Sequence, residues 1–117
     1  MRIIAGPCQH ETLAQSAEIA EECKRVCDMH GIEYIFKASY DKANRSSEQG
    51  KRGIGLGPTL EDFRTLKKQY NIQTLTDVHD ELQVEQIMYA YGDAVDVLQI
   101  PAFLCRQTDL IKAACAT

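Results

Sequence analysis

Four short apolar, β-branched runs punctuate the chain: Arg2 to Ala5, Tyr34 to Lys37, Ile72 to Thr76 and Val95 to Ile100. None alternates strictly between apolar and polar residues, which is the pattern of strands covered on both faces. The segments between them change to a helical period. From Thr12 to His30, Leu13, Ala17, Ala20, Val26 and Cys27 fall near one face, with Glu18, Glu21, Glu22, Lys24 and Arg25 mostly on the other. Gly31 follows where a left-handed helix terminus favours glycine. A second helix is expected to start near Pro58 and Thr59, with Glu61 and Asp62 in its first turn, where the helix dipole favours negative charge. Leu60, Phe63 and Leu66 give its apolar stripe, and Lys67 and Lys68 stand near its end. A third helix is predicted from about Asp80 to Tyr91, stopping at Gly92. A fourth starts near Gln107 or Thr108 and is still running at Thr117.

The predicted order is βαβαβαβα, which implies parallel strands joined by right-handed crossovers. An eight-fold βα barrel needs about 250 residues. At 117 residues the chain therefore has the first four units of a TIM (β/α)8 barrel, as one partial domain spanning 1–117. Such a half barrel is expected to be a portion of a larger enzyme, because it leaves two parallel strand edges open. The one long irregular segment, Ser39 to Gly57, contains Gly50, Gly53, Gly55 and Gly57. A loop of that length inside a compact α/β unit is usually functional.

No apolar run approaches the roughly 20 residues that a membrane helix requires. The N-terminal Met-Arg-Ile-Ile-Ala-Gly-Pro-Cys reads as a first strand rather than a signal peptide. A net charge of −4 argues against a general nucleic-acid binder. Between Lys37 and Arg52, however, stand five basic residues (Lys37, Lys42, Arg45, Lys51, Arg52) against two acidic ones (Asp41, Glu48). A basic pocket in an otherwise acidic protein favours small anions over long polyanions. The five cysteines form no CxxC pair and are odd in number, so reduced thiols and a cytoplasmic location are the expectation. Cys23 and Cys27, four apart on the first helix, read as small core residues.

The densest chemistry lies in Phe36-Lys-Ala-Ser-Tyr-Asp-Lys-Ala-Asn-Arg-Ser-Ser47, where Lys37, Lys42 and Arg45 stand among Ser39, Asn44, Ser46 and Ser47. Cations among small hydroxyl and amide donors suit phosphate or carboxylate oxygens, and so phosphorylated acids or sugars. The other unusual polar groups also follow strand ends: Cys8, His10 and Glu11 after the first, Asp77 and His79 after the third, Gln99 and then Arg106 after the fourth. In parallel α/β folds those ends share one ligand-binding face. Plainer readings stand beside these. Cys8 is a small buried residue or a metal ligand. His79 is a helix-terminal residue capped by Asp77, or a site residue. His10 and Glu11 open the first helix, Gln99 satisfies backbone groups, His30 ends a helix, and Lys51 and Arg52 are solvated charges. Lys37 resists such a reading, since a lysine ending a buried strand needs an anionic partner.

Four runs, Ile4-Ala-Gly-Pro-Cys8, Phe36 to Ser47, Leu75-Thr-Asp-Val-His79 and Val97-Leu-Gln-Ile-Pro-Ala-Phe-Leu-Cys-Arg-Gln-Thr-Asp109, resemble 3-deoxy-D-manno-octulosonate 8-phosphate synthases over the whole chain in colinear order. The Lys-Ala-Asn-Arg-Ser-Ser run is the most specific part. The resemblance implies condensation of phosphoenolpyruvate with D-arabinose 5-phosphate and water, for lipopolysaccharide inner-core synthesis. It implies that Lys37 and Lys42 hold phosphoenolpyruvate, and that Asn44, Arg45 and Ser46 meet the sugar phosphate and nearby hydroxyls. Asp77, His79 and Gln99 would line the reacting centre, with Ala102 and Phe103 bordering the pocket. Arg106 would reach the sugar phosphate of a neighbouring subunit, in a homo-oligomer of four chains. Cys8 implies the metal-dependent class, using a divalent ion such as Zn²⁺, Fe²⁺ or Mn²⁺, whose other ligands would lie beyond Thr117. The isolated chain is expected to be inactive. Gln9-His10-Glu11-Thr12 and Glu48-Gln-Gly-Lys51 depart from the family's usual residues. Two alternatives remain: a related phosphoenolpyruvate-dependent synthase taking another phosphosugar, and a non-catalytic half-barrel that binds phosphate or a partner half.

Overall fold

The computed structural model describes residues 1–41 and 53–117. Four strands, β1 (Arg2–Gln9), β2 (Glu33–Ser39), β3 (Gln73–Asp77) and β4 (Val97–Gln99), form one parallel sheet in the order β1-β2-β3-β4. Helices α1 (Leu13–Met29), α2 (Leu56–Tyr70), α3 (Glu81–Tyr91) and α4 (Thr108–Cys115) follow the strands in turn, with a short 3₁₀ turn at Ala102–Leu104 before α4. These are the first four βα units of a TIM-type barrel. No helix among the described residues is long and apolar enough to cross a membrane.

The helices cover one face of the sheet. Tyr34, Phe36 and Ala38 of β2 lie in a buried cluster with Ala20 and Cys27 of α1, Leu60, Phe63 and Leu66 of α2, and Val84 and Ile87 of α3. Phe36 meets Phe63 edge to face, with centroids 5.5 Å apart and planes at 82°. Truncating either ring would cost about 3–5 kcal/mol. Strand residues alternate between faces, so Ile35, Lys37 and Ser39 turn away from the helices. Register carries that parity across the sheet: Lys37 is level with Leu75, Leu75 with Val97, and Asp77 with Gln99.

Cross-links between layers fix the helices. Arg64 of α2 bonds both carboxylate oxygens of Asp93 at 2.6–2.9 Å and the Ala90 carbonyl at 2.7 Å. Asp96 accepts from Lys67 at 2.8 Å and from the Thr74 N–H at 2.8 Å, joining α2, β3 and the approach to β4.

Three local expectations are corrected. Strand β1 continues past Gly6 and Pro7 to Gln9, through an irregularity between Ala5 and Cys8 that accommodates the proline. Helix α2 starts at Leu56, because Gly55 caps it at φ 93°; Glu61 and Asp62 therefore lie beyond its first turn. Val26 is exposed and Ser16 is buried in the stripe of α1, while Ala20 and Cys27 are buried and Leu13 and Ala17 pack against the core as expected.

A Cβ on Gly6 would stand 1.8 Å from the Lys37 carbonyl oxygen, so only glycine lets β1 approach β2 at this point. Gly6→Ala is expected to lower stability by about 3 kcal/mol through forced separation of the strands, read as a shift in the denaturant midpoint. An unchanged midpoint would contradict that contact.

Candidate active site

The C-terminal strand ends place a row of polar side chains on the face opposite the helices. Asp77 and Gln99 are paired in register there, one step beyond the Lys37, Leu75 and Val97 row. Lys37 is half-buried, and among the described residues no ion pair closes on its ammonium. An unneutralised cation at a strand end attracts an anion.

Asp77 ends β3, and His79 follows two residues later in the loop before α3. His79 Nε2 lies 3.0 Å from Asp77 Oδ2, and both side chains are about nine-tenths buried. With the carboxylate ionised it can only accept, so the Nε2 carries the hydrogen, and in the neutral ring Nδ1 presents a lone pair. Asp77 Oδ1 and His79 Nδ1 are both buried without a partner among the described residues. Buried polar atoms are normally satisfied, so this pair is suited to a ligand hydroxyl or a reacting water. Asp80, not Asp77, caps α3, accepting from the Gln83 N–H at 2.8 Å.

Tyr40 follows β2 and tilts over the His79 ring at 5.9 Å. Burial, reinforced by the Asp77, Asp80 and Asp41 carboxylates, pushes its hydroxyl well above the ordinary 10.0. It therefore remains a donor. Gly53 brings the chain back against it: a Cβ there would lie 2.3 Å from the Tyr40 carbonyl oxygen, and φ is 111°. A cleft of about 470 Å³ opens between Tyr40, Gly53 to Leu56, Gln83 and Gln86.

Cys8 is exposed at the end of β1 in a left-handed backbone conformation, φ 67°. That geometry costs a non-glycine residue about 1–2 kcal/mol and concentrates at functional sites. A thiolate there fits as one donor to a thiophilic divalent ion. Among the described residues no three His, Cys, Asp or Glu side chains come together as a metal site, so these residues do not complete one. Ala102, Phe103 and Arg106 are exposed in and after the turn that follows β4. Lys42, Asn44, Arg45, Ser46, Lys51 and Arg52 lie outside the described residues. His30 is the C-cap of α1, as expected.

His10 does not join this rim. It is fully buried on the helix side, with Nδ1 2.8 Å from Ser16 Oγ and Nε2 2.7 Å from Asp62 Oδ2. Its ring meets Phe63 edge-on at 6.0 Å. Neither His10 nor Glu11 opens α1; Thr12 caps it, accepting from the Gln15 N–H at 3.2 Å. Serine, histidine and carboxylate in one chain of bonds has the composition of a hydrolytic triad. Here the Ser16 hydroxyl has no exposure, so no substrate reaches it. The trio is a pin joining β1, α1 and α2.

The family model for the DAHP synthetase I family matches residues 1–117. The chain belongs to the DAHP synthetase I family. Among curated relatives, the proteins named 2-dehydro-3-deoxyphosphooctonate aldolase from Brucella ovis, Brucella canis and Brucella melitensis biotype 2 are each 51% identical over 117 residues. The match covers the whole of this chain and 41% of each relative. These relatives bear out the resemblance carried by the Phe36 to Ser47 and Val97 to Asp109 runs. For this member of the family, the rim of Lys37, Asp77, His79 and Gln99 is the candidate active site.

Ser16→Ala should lower stability by about 1–3 kcal/mol by leaving His10 Nδ1 unpaired, while a fluorophosphonate serine probe leaves the folded protein unlabelled. Labelling of Ser16 would overturn its assignment as a pin.

Proposed function

We propose that the chain forms the first half of the active site of a 3-deoxy-D-manno-octulosonate 8-phosphate synthase, condensing phosphoenolpyruvate with D-arabinose 5-phosphate and water and releasing phosphate. One observation carries this reading: Lys37, Asp77 and Gln99 share a single sheet face at the strand ends, with His79 bonded to Asp77.

In this reading Lys37 and Lys42 hold the carboxylate and phosphate of phosphoenolpyruvate, and Asn44, Arg45 and Ser46 hold the sugar phosphate. Fixed cations hold together two multiply charged substrates that repel one another in water. C3 of phosphoenolpyruvate attacks the aldehyde carbon, whose oxygen gains a proton. Water adds at C2, and breaking the C2–O bond to phosphate releases inorganic phosphate. His79 Nδ1, oriented through Nε2 by Asp77, holds a proton of the water or of the new hydroxyl. Gln99 lines the centre, and Ala102 and Phe103 border it. Arg106 serves the sugar phosphate of a neighbouring subunit in a homotetramer. Cys8 would hold a divalent ion as one of its ligands, and such an ion would supply Lewis-acid polarisation. Turnover requires the remaining βα units.

The experiment joins residues 1–117 to the remaining portion of the Brucella ovis relative. The fusion should release phosphate with arabinose 5-phosphate and far more slowly with erythrose 4-phosphate, while 1–117 alone is inactive. Lys37→Ala should lower kcat/KM at least 100-fold, corresponding to about 2.8 kcal/mol. A strong chelator should abolish activity, and Zn²⁺, Fe²⁺ or Mn²⁺ should restore it. Preference for erythrose 4-phosphate would overturn the substrate assignment, and full activity in metal-free fusion would overturn that of Cys8.

A further inference from the structure

One side-chain oxygen joins two of the loops that build the rim. Gln83 Oε1 accepts the Tyr40 hydroxyl at 2.5 Å and the His79 backbone N–H at 2.7 Å. Because a backbone N–H can only donate, the amide must present its oxygen here, and the tyrosine hydroxyl donates to that same atom. Gln83 is itself held in the first turn of α3, its N–H bonded to Asp80 Oδ1 at 2.8 Å. Tyr40 stands where β2 leads into the segment carrying Lys42 and Arg45, and His79 carries the bond to Asp77. The two donors thus come from the second and third βα units, and the acceptor from the helix that follows.

We propose that Gln83 is a positioning residue: by clamping Tyr40 and the His79 backbone, it fixes the end of β2 against the Asp77–His79 pair. It touches neither substrate nor reacting atom in this assignment and acts through the two groups it holds. A packed aromatic contact between Tyr40 and His79 makes the arrangement stiff, since moving either ring disturbs both hydrogen bonds. Loss of the shared acceptor leaves the His79 N–H and the Tyr40 hydroxyl competing for water, and the imidazole loses its fixed approach to Asp77. A displacement of that kind changes the rate of the chemical step more than the affinity for the first substrate.

The inference rests on Asp77 and His79 being site residues, so two readouts separate its failure from failure of the function. The first needs no activity. In residues 1–117, hydrogen exchange of the His79 amide should be slow in the wild type, Tyr40→Phe and Gln83→Glu, where an acceptor remains. It should quicken at least 10-fold in Gln83→Met, which keeps the bulk and removes the acceptor. The Val84 amide, bonded to the carbonyl of Asp80, the N-cap of α3, should not change. Equal His79 exchange in wild type and Gln83→Met would overturn the clamp. The second readout uses the fusion with the Brucella ovis portion. Gln83→Met should lower kcat about 10-fold with the KM for phosphoenolpyruvate within twofold, and Tyr40→Phe should add little on top of it. A stable Gln83→Met with unchanged kcat would overturn the positioning role. A wild-type fusion with no turnover of phosphoenolpyruvate and arabinose 5-phosphate would sink the synthase reading instead, leaving the exchange result to decide the clamp.

Discussion

Register in a parallel ladder admits no half-steps, and the proposed chemistry depends on that constraint. Phe36 enters the helix-covered core beside Phe63, so Lys37 must face the other way. Pairing Lys37 with Leu75 and Asp77 with Gln99 places a cation, a carboxylate and an amide on the same face. A slip of one residue would bury a charge among aromatic rings at a cost of several kcal/mol. The hydrophobic core therefore enforces the arrangement of the polar rim, although the two share no atom.

Two polar constructions near the strand ends use similar residue types for opposite purposes. The His10, Ser16 and Asp62 trio is sealed beneath the helices, and both ring nitrogens of the histidine are partnered. The His79 and Asp77 pair stands at the rim, with one nitrogen and one oxygen left without a protein partner among the described residues. Satisfaction marks the structural histidine, and unmet bonding capacity marks the one available for chemistry. Residue type alone would not separate them.

Much of this was legible in the chain because the deciding signals are local. Four β-branched runs separated by helical periods specify a parallel α/β order, and Asp77 and His79 follow the third of those runs, at the ligand-binding end of the sheet. What escaped depends on distant or conformational facts. The burial of His10 rests on Asp62, 52 residues away. The start of α2 rests on Gly55 adopting a positive φ, which outweighs the preference of Pro58 for the first helical position. Val26 lies about 100° round α1 from Cys27 and so off the buried stripe; its apolar side chain, not its helical position, suggested burial. Gln83 gave no sequence signal at all, since its role exists only once Tyr40 and His79 have been brought to it.

The central claim is that Lys37, Asp77, His79 and Gln99 form one anion-receptive rim. Titrating the isotope-labelled chain with phosphoenolpyruvate and following its amide and side-chain resonances tests this most directly. Shifts should concentrate at Lys37, Ser39, Asp77, His79 and Gln99, and leave Glu33, Asn71 and Gln73 at the opposite end of the strands unmoved. Shifts centred on that opposite end, or spread evenly over surface lysines, would contradict the account.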